Sequence, residues 1–402
     1  MTTPEQKTID QPFLTNLVQK ALDKPGLQVM NWKVHPLMGG LEFESAVFRY
    51  QGEAKDNGEK IAWTLILKII KPSEKAMQPG GIWYWKREAL TYRTGMLHRL
   101  PGGNVSAPLC YEIQEKPDGA MWIWLEDIKD EAGHPWPVKQ YAISARHLGQ
   151  FNGAYLTGQS IPSEPWIPRN WLRMYIENAE PMAQFLRSNP YHPVVQHVFP
   201  GDTVAQMLAF WDERGPILDV LENLPQVFCH QDAFKRNLFA RQGKTIAIDW
   251  AYMGNAPVGA ELVALVAGSI GFFEIPAERV KELDKLCFEA YLHGLREAGW
   301  EGDPKLVRTG YVVSCMLRYP LGGSLGEMLP RFLDQDTQSK TKIAAAFEDK
   351  SADDLEKTDP AIVTYYQSLM PEALRLLGIK RLIPIFLRMA VNILRIRLGK
   401  RK

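Results

Sequence analysis

The chain has 402 residues, with 47 lysines and arginines against 46 aspartates and glutamates. The net charge of +1 excludes a nucleic-acid binder that relies on bulk electrostatics, and 46% apolar residues allow a buried core without covalent staples. Four scattered cysteines indicate neither a disulfide framework nor a zinc site, and the polar N-terminus lacks the apolar segment of a signal peptide. We expect a cytoplasmic globular protein with two domains or two lobes.

The first 125 residues have the pattern of an antiparallel sheet with one main inserted helix. Apolar segments with helical spacing predict helices, and short apolar runs bounded by turn residues predict strands. The predicted helices cover residues 11–22 and 81–100, and the strands lie within 27–40, 45–52, 61–70 and 109–128. The last of these stretches is a hairpin with its turn at Pro117–Gly119.

Beyond a connector at residues 126–137, the pattern becomes mostly helical. Helix-like segments occupy 141–158, 171–188, 202–223 and 277–299, and a strand-rich stretch at 226–254 interrupts them once. This order predicts the α+β class. It combines an antiparallel β-sheet lobe with one main helix at residues 1–125 and a mostly helical lobe at residues 138–402.

Three polar residues surround the hairpin within residues 226–254. Asp232 and Asn237 lie in a loop after an apolar strand, and Asp249 ends the second strand of the hairpin. Two carboxylates and an amide oxygen suit a hard cation such as Mg²⁺, and a carboxylate left off the metal can take a proton from a hydroxyl. Asp and Asn also cap turns, but a triplet around one hairpin favours a functional cleft.

Lys68 is the single charge in an apolar strand, TLILKII. A buried lysine is costly unless it is paired, and Glu88 in the following helix is the natural partner. The pair would hold nucleotide phosphates; alternatively, Lys68 extends from an edge strand into water. The backbone N–H groups around Gly39, Gly40 and Ser45 would cover phosphates, although an ordinary hairpin turn explains these residues equally well.

The motif His230-x-Asp232-x4-Asn237, followed by the Ile-Asp-Trp stretch at 248–250, resembles the aminoglycoside phosphotransferase and choline kinase superfamily. These enzymes are small-molecule relatives of protein kinases, so the resemblance implies a bilobal protein-kinase-like fold. It also implies an ATP- and Mg²⁺-dependent phosphotransferase. The acceptor of the γ-phosphate would be a hydroxyl of an aminoglycoside-, choline- or sugar-like molecule.

The resemblance also implies roles for the residues around the phosphates. Asp232 would be the catalytic base that orients the acceptor hydroxyl, and Asn237 and Asp249 would bind Mg²⁺. Lys68 would contact the α- and β-phosphates of the nucleotide while paired with Glu88.

Other residues would support the catalytic loop or the adenine base. By the same resemblance, His230 would brace the loop without reacting, and Glu261 would occupy the position of a supporting carboxylate that is usually an aspartate. Backbone atoms of Trp124, Leu125 and Glu126 would hold adenine, as the kinase hinge does.

Three departures from the protein-kinase pattern narrow the expected class. The glycine loop lacks a full G-x-G-x-x-G, the residues after Asp249 are Trp-Ala-Tyr instead of Phe-Gly, and no A-P-E motif follows. These departures favour a small-molecule kinase over a protein kinase. Two rivals are a catalytically silent kinase-like nucleotide-binding protein and a metal hydrolase that uses His230 and Asp232.

The C-terminal region contains two further candidates for binding. Trp166 and Trp171 would stack on a ring or a quaternary amine of the acceptor, or they pack in the core. Acidic stretches at 210–215, 334–338 and 347–359 slightly favour a cationic acceptor.

The tail at residues 379–402 is basic and amphipathic, with arginines at 381, 388 and 395 spaced by seven. Such a helix attaches to an anionic membrane surface or docks on the helical lobe with its arginines in water. We favour docking, because basic residues are common near helix C-termini.

Overall fold

The N-terminal part of the protein folds around a five-stranded antiparallel sheet. The computed structural model describes residues 9–37, 46–272, 274–321 and 352–399. The strands of this part are β1 (Gln28–Leu37), β2 (Ala46–Asp56), β3 (Glu59–Ile70), β4 (Val105–Ser106), β5 (Cys110–Glu115) and β6 (Met121–Leu125). The sheet order is β1-β2-β3-β6-β5, and β4 lies outside it. Helix α1 (Gln11–Leu22) covers one face of the sheet, and helix α2 (Arg87–Arg93) follows β3.

The side chains of β3 alternate between the two faces of the sheet. Those on one face are buried in the core beneath α1. They are Trp63, Leu65, Leu67 and Ile69. Lys68 therefore lies on the opposite face. The β2–β3 connection is Asn57-Gly58, and both residues have positive φ (48° and 92°), as a tight two-residue hairpin turn requires.

The remainder of the described chain is mostly helical. Its helices are α3 (Val138–Leu156), α4 (Trp171–Ile176), α5 (Glu180–Ser188), α6 (Pro193–Val198), α7 (Thr203–Asp212), α8 (Arg214–Glu222), α9 (Glu261–Val263), α10 (Ser269–Gly271), α11 (Val280–Glu297), α12 (Pro304–Arg318), α13 (Ala352–Leu377) and α14 (Ile379–Gly399). A π-helical turn at Ala264–Gly268 joins α9 to α10. Within the described ranges, no helix is long and apolar enough to cross a membrane.

Short strands position the loop that contains Asp232. Strand β7 (Gln226–Cys229) pairs with β10 (Gly254–Pro257), while β8 (Leu238–Arg241) and β9 (Lys244–Ala247) form the predicted hairpin. Strand β4, which belongs to the N-terminal part of the sequence, pairs in parallel with β9. The loop between β7 and β8 is therefore fixed at both ends by backbone pairing.

Three predicted helices are interrupted in the structure. The helix predicted at 81–100 is reduced to α2. It ends before Gly95, which has a positive φ of 71°, and a 3-10 turn follows at Met96–Arg99, while residues 81–86 form turns. The segments predicted as single helices at 171–188 and 202–223 each divide in two. Pro181 and Pro216 explain these breaks, since proline has no N–H to donate and its ring clashes with the preceding turn.

Close contact between α3 and α11 depends on glycine. A Cβ atom at Gly294 would lie 2.0 Å from the Arg146 carbonyl oxygen, whereas a Cβ at Gly215 in α8 meets nothing within 4 Å. We predict that Gly294→Ala lowers the free energy of unfolding by about 2–3 kcal/mol, because the two helices must separate. Gly215→Ala, the matched control, should be neutral or slightly stabilising. Urea denaturation of both variants measures the difference, and equal stabilities would contradict the close-packing argument.

Candidate active site

Lys68, Glu88 and Asp249 meet where β3, α2 and the end of the β8–β9 hairpin come together. The Lys68 Nζ lies 2.6 Å from Glu88 Oε2 and 2.7 Å from Asp249 Oδ1. Burial opposes the charged forms, but the two carboxylates raise the pKa of Lys68 above its ordinary value, and Lys68 holds the pKa of Asp249 below its own. The structure thus contains the Lys68–Glu88 pair that the sequence predicts, and adds Asp249 to it.

The alternative in which Lys68 extends from an edge strand does not fit this arrangement. Strand β3 lies between β2 and β6 in the sheet, so it has no free edge. The Lys68 side chain is only 14% exposed, and both of its carboxylate partners come from other elements.

His230 links the catalytic-loop candidate, residues 230–237, to Ile248 just after β9. Its Nε2 donates to the Ile248 carbonyl oxygen (2.9 Å), and its Nδ1 accepts from the Asp232 N–H (3.2 Å). Burial lowers the pKa of His230 to about 4, so the ring is neutral at neutral pH. Because Nδ1 accepts from the Asp232 N–H, the proton is assigned to Nε2. A neutral imidazole with both nitrogens engaged is suited to bracing the loop.

Glu261, at the start of α9, accepts hydrogen bonds from the loop backbone. Its Oε2 accepts from the His230 N–H (2.8 Å) and its Oε1 from the Gln231 N–H (3.1 Å). Gln231 has a positive φ of 70°, a conformation that costs energy for a residue with a side chain. Burial raises the pKa of Glu261 to about 7, although the two N–H groups oppose this rise. The contacts support the predicted role of Glu261 beneath the loop.

Asp232 lies beside Asn237 and a buried arginine. The Asn237 side-chain amide donates to the carboxylate (3.1 Å) and to the main-chain carbonyl oxygen of Asp232 (3.0 Å). The Arg318 guanidinium is 3.6 Å from the other carboxylate oxygen. Burial raises the pKa of Asp232 to about 7, while Arg318 opposes this change and the charge of Asp249 adds to it.

Asn237 and Asp249 are connected through the backbone, because the Ile248 N–H donates to the Asn237 carbonyl oxygen (2.9 Å). Among residues 9–37, 46–272, 274–321 and 352–399, no group of three or more His, Cys, Asp or Glu side chains is arranged to hold a metal. One carboxylate and one amide oxygen nevertheless fit Mg²⁺, since this ion keeps several waters and takes further ligands from phosphates.

The other predicted nucleotide contacts are at two places in the N-terminal part of the chain. Gly39, Gly40 and Ser45 lie outside the described residues. The Trp124 side chain is buried in the core under α1, near Tyr50. The remaining predicted positions, Leu125 and Glu126, lie at the end of β6. The Glu126 N–H already donates to the Leu109 carbonyl oxygen (2.9 Å), and its carboxylate pairs with Arg241. The Glu126 N–H and carboxylate are thus both engaged within the protein.

Arg318 on α12 was not predicted from the sequence. Its guanidinium donates to the Gln231 carbonyl oxygen (2.6 Å) and lies over the rings of Trp171 and Tyr175, 4.7 and 5.3 Å from their centroids. The Trp171 ring in turn stacks on Tyr175. Trp171 is thus engaged by side chains of the protein itself, which supports the core interpretation of this residue.

Several charges near the loop are paired within the protein. Lys235 Nζ is 3.2 Å from an Asp130 carboxylate oxygen, and Arg236 Nε is 3.4 Å from Glu274. In the acidic stretch at 210–215, Asp212 and Glu213 pair with arginines. Because these carboxylates are already paired with arginines, the stretch is less suited to bind a cationic acceptor. The stretch at 334–338 lies outside the described residues, as does the start of the one at 347–359.

Comparison with known proteins is consistent with this geometry. A model described as "Phosphotransferase enzyme family" matches residues 93–302, more than half of the chain. No curated protein matches significantly. The structure of a choline kinase from Cryptosporidium parvum is similar, with a TM-score of 0.50 and 15% identity. The match covers 94% of this chain and 99% of that chain. This similarity confirms the predicted α+β, protein-kinase-like fold.

Two further solved structures match with lower scores. An amicoumacin kinase in complex with AMP-PNP, Ca²⁺ and Ami has a TM-score of 0.49 and 16% identity, covering 90% of this chain and 97% of that chain. A thermostable mutant of the aminoglycoside phosphotransferase APH(4)-Ia has a TM-score of 0.44 and 14% identity, covering 87% of this chain and 98% of that chain.

The contacts of Glu261 predict a local and a global effect of its removal. Glu261→Ala leaves two buried N–H groups without acceptors, so the free energy of unfolding should fall by about 2–4 kcal/mol. The control, Glu289→Ala, removes an exposed carboxylate from α11 and should change stability by less than about 0.5 kcal/mol. Urea denaturation tests the global effect, and faster hydrogen exchange at the amides of residues 230 and 231 tests the local one. Equal losses in the two variants would contradict the assignment.

Proposed function

Since the chain belongs to the phosphotransferase enzyme family, we propose that it transfers the γ-phosphate of ATP to a hydroxyl group of a small molecule. The observation that supports this activity best is the meeting of Lys68, Glu88 and Asp249 next to the loop of Asp232, whose last residue, Asn237, accepts a hydrogen bond from the Ile248 N–H. The arrangement combines a cation for phosphates, oxygen ligands for a metal and a carboxylate for a hydroxyl proton. Few other chemistries require all three.

Lys68 is the proposed contact for the nucleotide phosphates. In the present structure its ammonium is neutralised by Glu88 and Asp249. When phosphates bind, Glu88 would keep the ammonium in position, because its second oxygen also accepts from the Trp250 N–H (3.3 Å). Mg²⁺, held by Asn237 and Asp249, would supply positive charge that neutralises the phosphate oxygens.

Asp232 is the proposed base. Its carboxylate would accept a hydrogen bond from the acceptor hydroxyl and hold the oxygen in line with the γ-phosphorus. As the new O–P bond forms and the bond to the β–γ bridging oxygen breaks, the hydroxyl proton passes to Asp232 and ADP leaves. The Asn237 amide fixes one carboxylate oxygen, and the other, which lies 3.6 Å from the Arg318 guanidinium, would face the acceptor.

The two rival functions predict different experimental results from a kinase. A silent nucleotide-binding protein would bind ATP without turnover. A metal hydrolase based on His230 and Asp232 would not need Lys68. The engagement of both His230 nitrogens within the protein argues against a metal-ligating or reacting histidine. We expect the acceptor among hydroxylated metabolites and antibiotics.

ADP release in the presence of Mg²⁺, screened against hydroxylated metabolites and antibiotics, tests the proposal. Asp232→Asn should reduce kcat by about 10²–10⁴-fold while ATP still raises the melting temperature. Lys68→Ala should reduce kcat/KM for ATP by about 10²-fold. The controls are Lys60→Ala on the same strand and Asp219→Asn on α8, whose side chains are 75% and 63% exposed.

The possible outcomes separate the three functions. Absence of both turnover and thermal protection by ATP with Mg²⁺ would refute the kinase proposal. Thermal protection without turnover against any acceptor would support the silent protein. Full activity of Lys68→Ala would favour the hydrolase.

The raised pKa of Asp232 predicts a pH dependence. With a pKa of about 7, the basic form accumulates as the pH increases, so kcat/KM should rise through neutral pH. Arg318→Gln removes a positive charge that lowers this pKa, and the rise should therefore move to higher pH, whereas Arg318→Lys should restore the original profile. Comparing variants at each pH cancels the ionisation of ATP itself. An unshifted profile in Arg318→Gln would show that another group controls the pH dependence.

A further inference from the structure

Helix α14 presents an exposed apolar face. Six of its large apolar side chains are 46–64% exposed. They are Ile383, Phe386, Leu387, Val391, Leu394 and Leu398. Their spacing of three or four residues, repeated along the helix, places them on one side. Contiguous apolar surface of this kind marks an interaction site in a folded protein.

The opposite side of α14 is attached to the helical region. Ile385 is fully buried, and Met389 and Ile396 pack against the main core. The Tyr191 hydroxyl donates to the Ile396 carbonyl oxygen, and Arg388 pairs with Glu213 beside α7. The helix is therefore held in place by one face, and the exposed apolar face points away from the protein.

The charge of this segment indicates the kind of surface that the apolar face would contact. Residues 379–402 contain eight lysines and arginines and no aspartate or glutamate. Arg395 is exposed and follows Leu394 in the sequence, so it lies at the edge of the apolar face. Arg388 retains half of its side-chain exposure while it pairs with Glu213. A second copy of the same helix would bring like charges together, whereas an anionic lipid surface would attract them.

We propose that α14 binds the surface of an anionic membrane, with its apolar face inserted at the level of the lipid headgroups and Arg395 on the phosphates. The sequence left a choice between docking on the helical lobe and attachment to a membrane. In the structure the two interpretations are compatible, because docking on the helical lobe occupies one face of α14 and leaves the other face exposed. Apolar insertion together with basic charge is the combination that gives peripheral binding.

Vesicle flotation of the full-length protein tests the proposal. The protein should float with phosphatidylcholine vesicles that contain phosphatidylserine and remain unbound with phosphatidylcholine alone, and added salt should weaken binding. Leu387→Glu combined with Leu394→Glu should abolish flotation. The control, Met30→Glu, replaces a side chain of similar exposure (58%) on β1 and should bind as wild type does.

A second variant tests the electrostatic component separately. Arg395→Gln should weaken the partition coefficient about fivefold, the equivalent of about 1 kcal/mol for one basic residue at an anionic surface. Circular dichroism confirms that each variant is folded. Equal flotation with neutral and anionic vesicles, or no difference between the double variant and Met30→Glu, would overturn the proposal. The proposal would also be overturned if the protein failed to float and light scattering showed a dimer that the double variant abolishes.

Discussion

The buried ammonium group of Lys68 is the constraint on which the arrangement of the site depends. A lysine in a central strand is strongly destabilising unless carboxylates surround it, and here one comes from α2 and another from the end of the β8–β9 hairpin. The ion pairs therefore require the sheet, α2 and the C-terminal hairpin to meet at one point. Removing one partner leaves an uncompensated buried charge, which typically costs about 3–5 kcal/mol. The residues proposed for phosphate transfer are thus also residues that hold the two parts of the protein in register.

The acidic groups around the loop divide into two kinds. Asp249 lies beside Lys68, which lowers its pKa, and an ionised carboxylate suits its proposed role as a metal ligand. Burial raises the pKa of Asp232 and of Glu261 to about 7, although Arg318 opposes the rise at Asp232 and two backbone N–H groups oppose it at Glu261. For a carboxyl group whose pKa is raised on folding, the folded state binds more protons between the unfolded and folded pKa values. These two groups therefore reduce stability progressively as the pH rises from about 4 to about 7, a cost that accompanies a carboxylate suited to accept a proton near neutral pH.

The sequence predicted the strands, the pairing of Lys68 with Glu88 and the support of the loop by Glu261. Each depends on a local signal, such as a charge inside an apolar strand or a motif of fixed spacing. The breaks at Pro181 and Pro216 were also visible in the sequence, but the apolar spacing across them favoured single helices. Arg318 was missed because its partners are a backbone carbonyl group and aromatic rings from distant elements, and no sequence pattern reports such contacts. The third partner in the Lys68 cluster, Asp249, is 181 residues away, so only the fold brings it close.

The parallel pairing of β4 with β9 limits how the five-stranded sheet can move relative to the helices. Besides the connector after β6, the chain contacts the C-terminal strands a second time at Val105–Ser106, where the Thr245 N–H also donates to the Asn104 carbonyl oxygen (2.9 Å). The connector and the β4–β9 pairing attach the sheet to the C-terminal strands at two separate places. Because the Lys68–Asp249 ion pair joins the two parts at a further point, rotation of the sheet about these two connections requires this ion pair to separate.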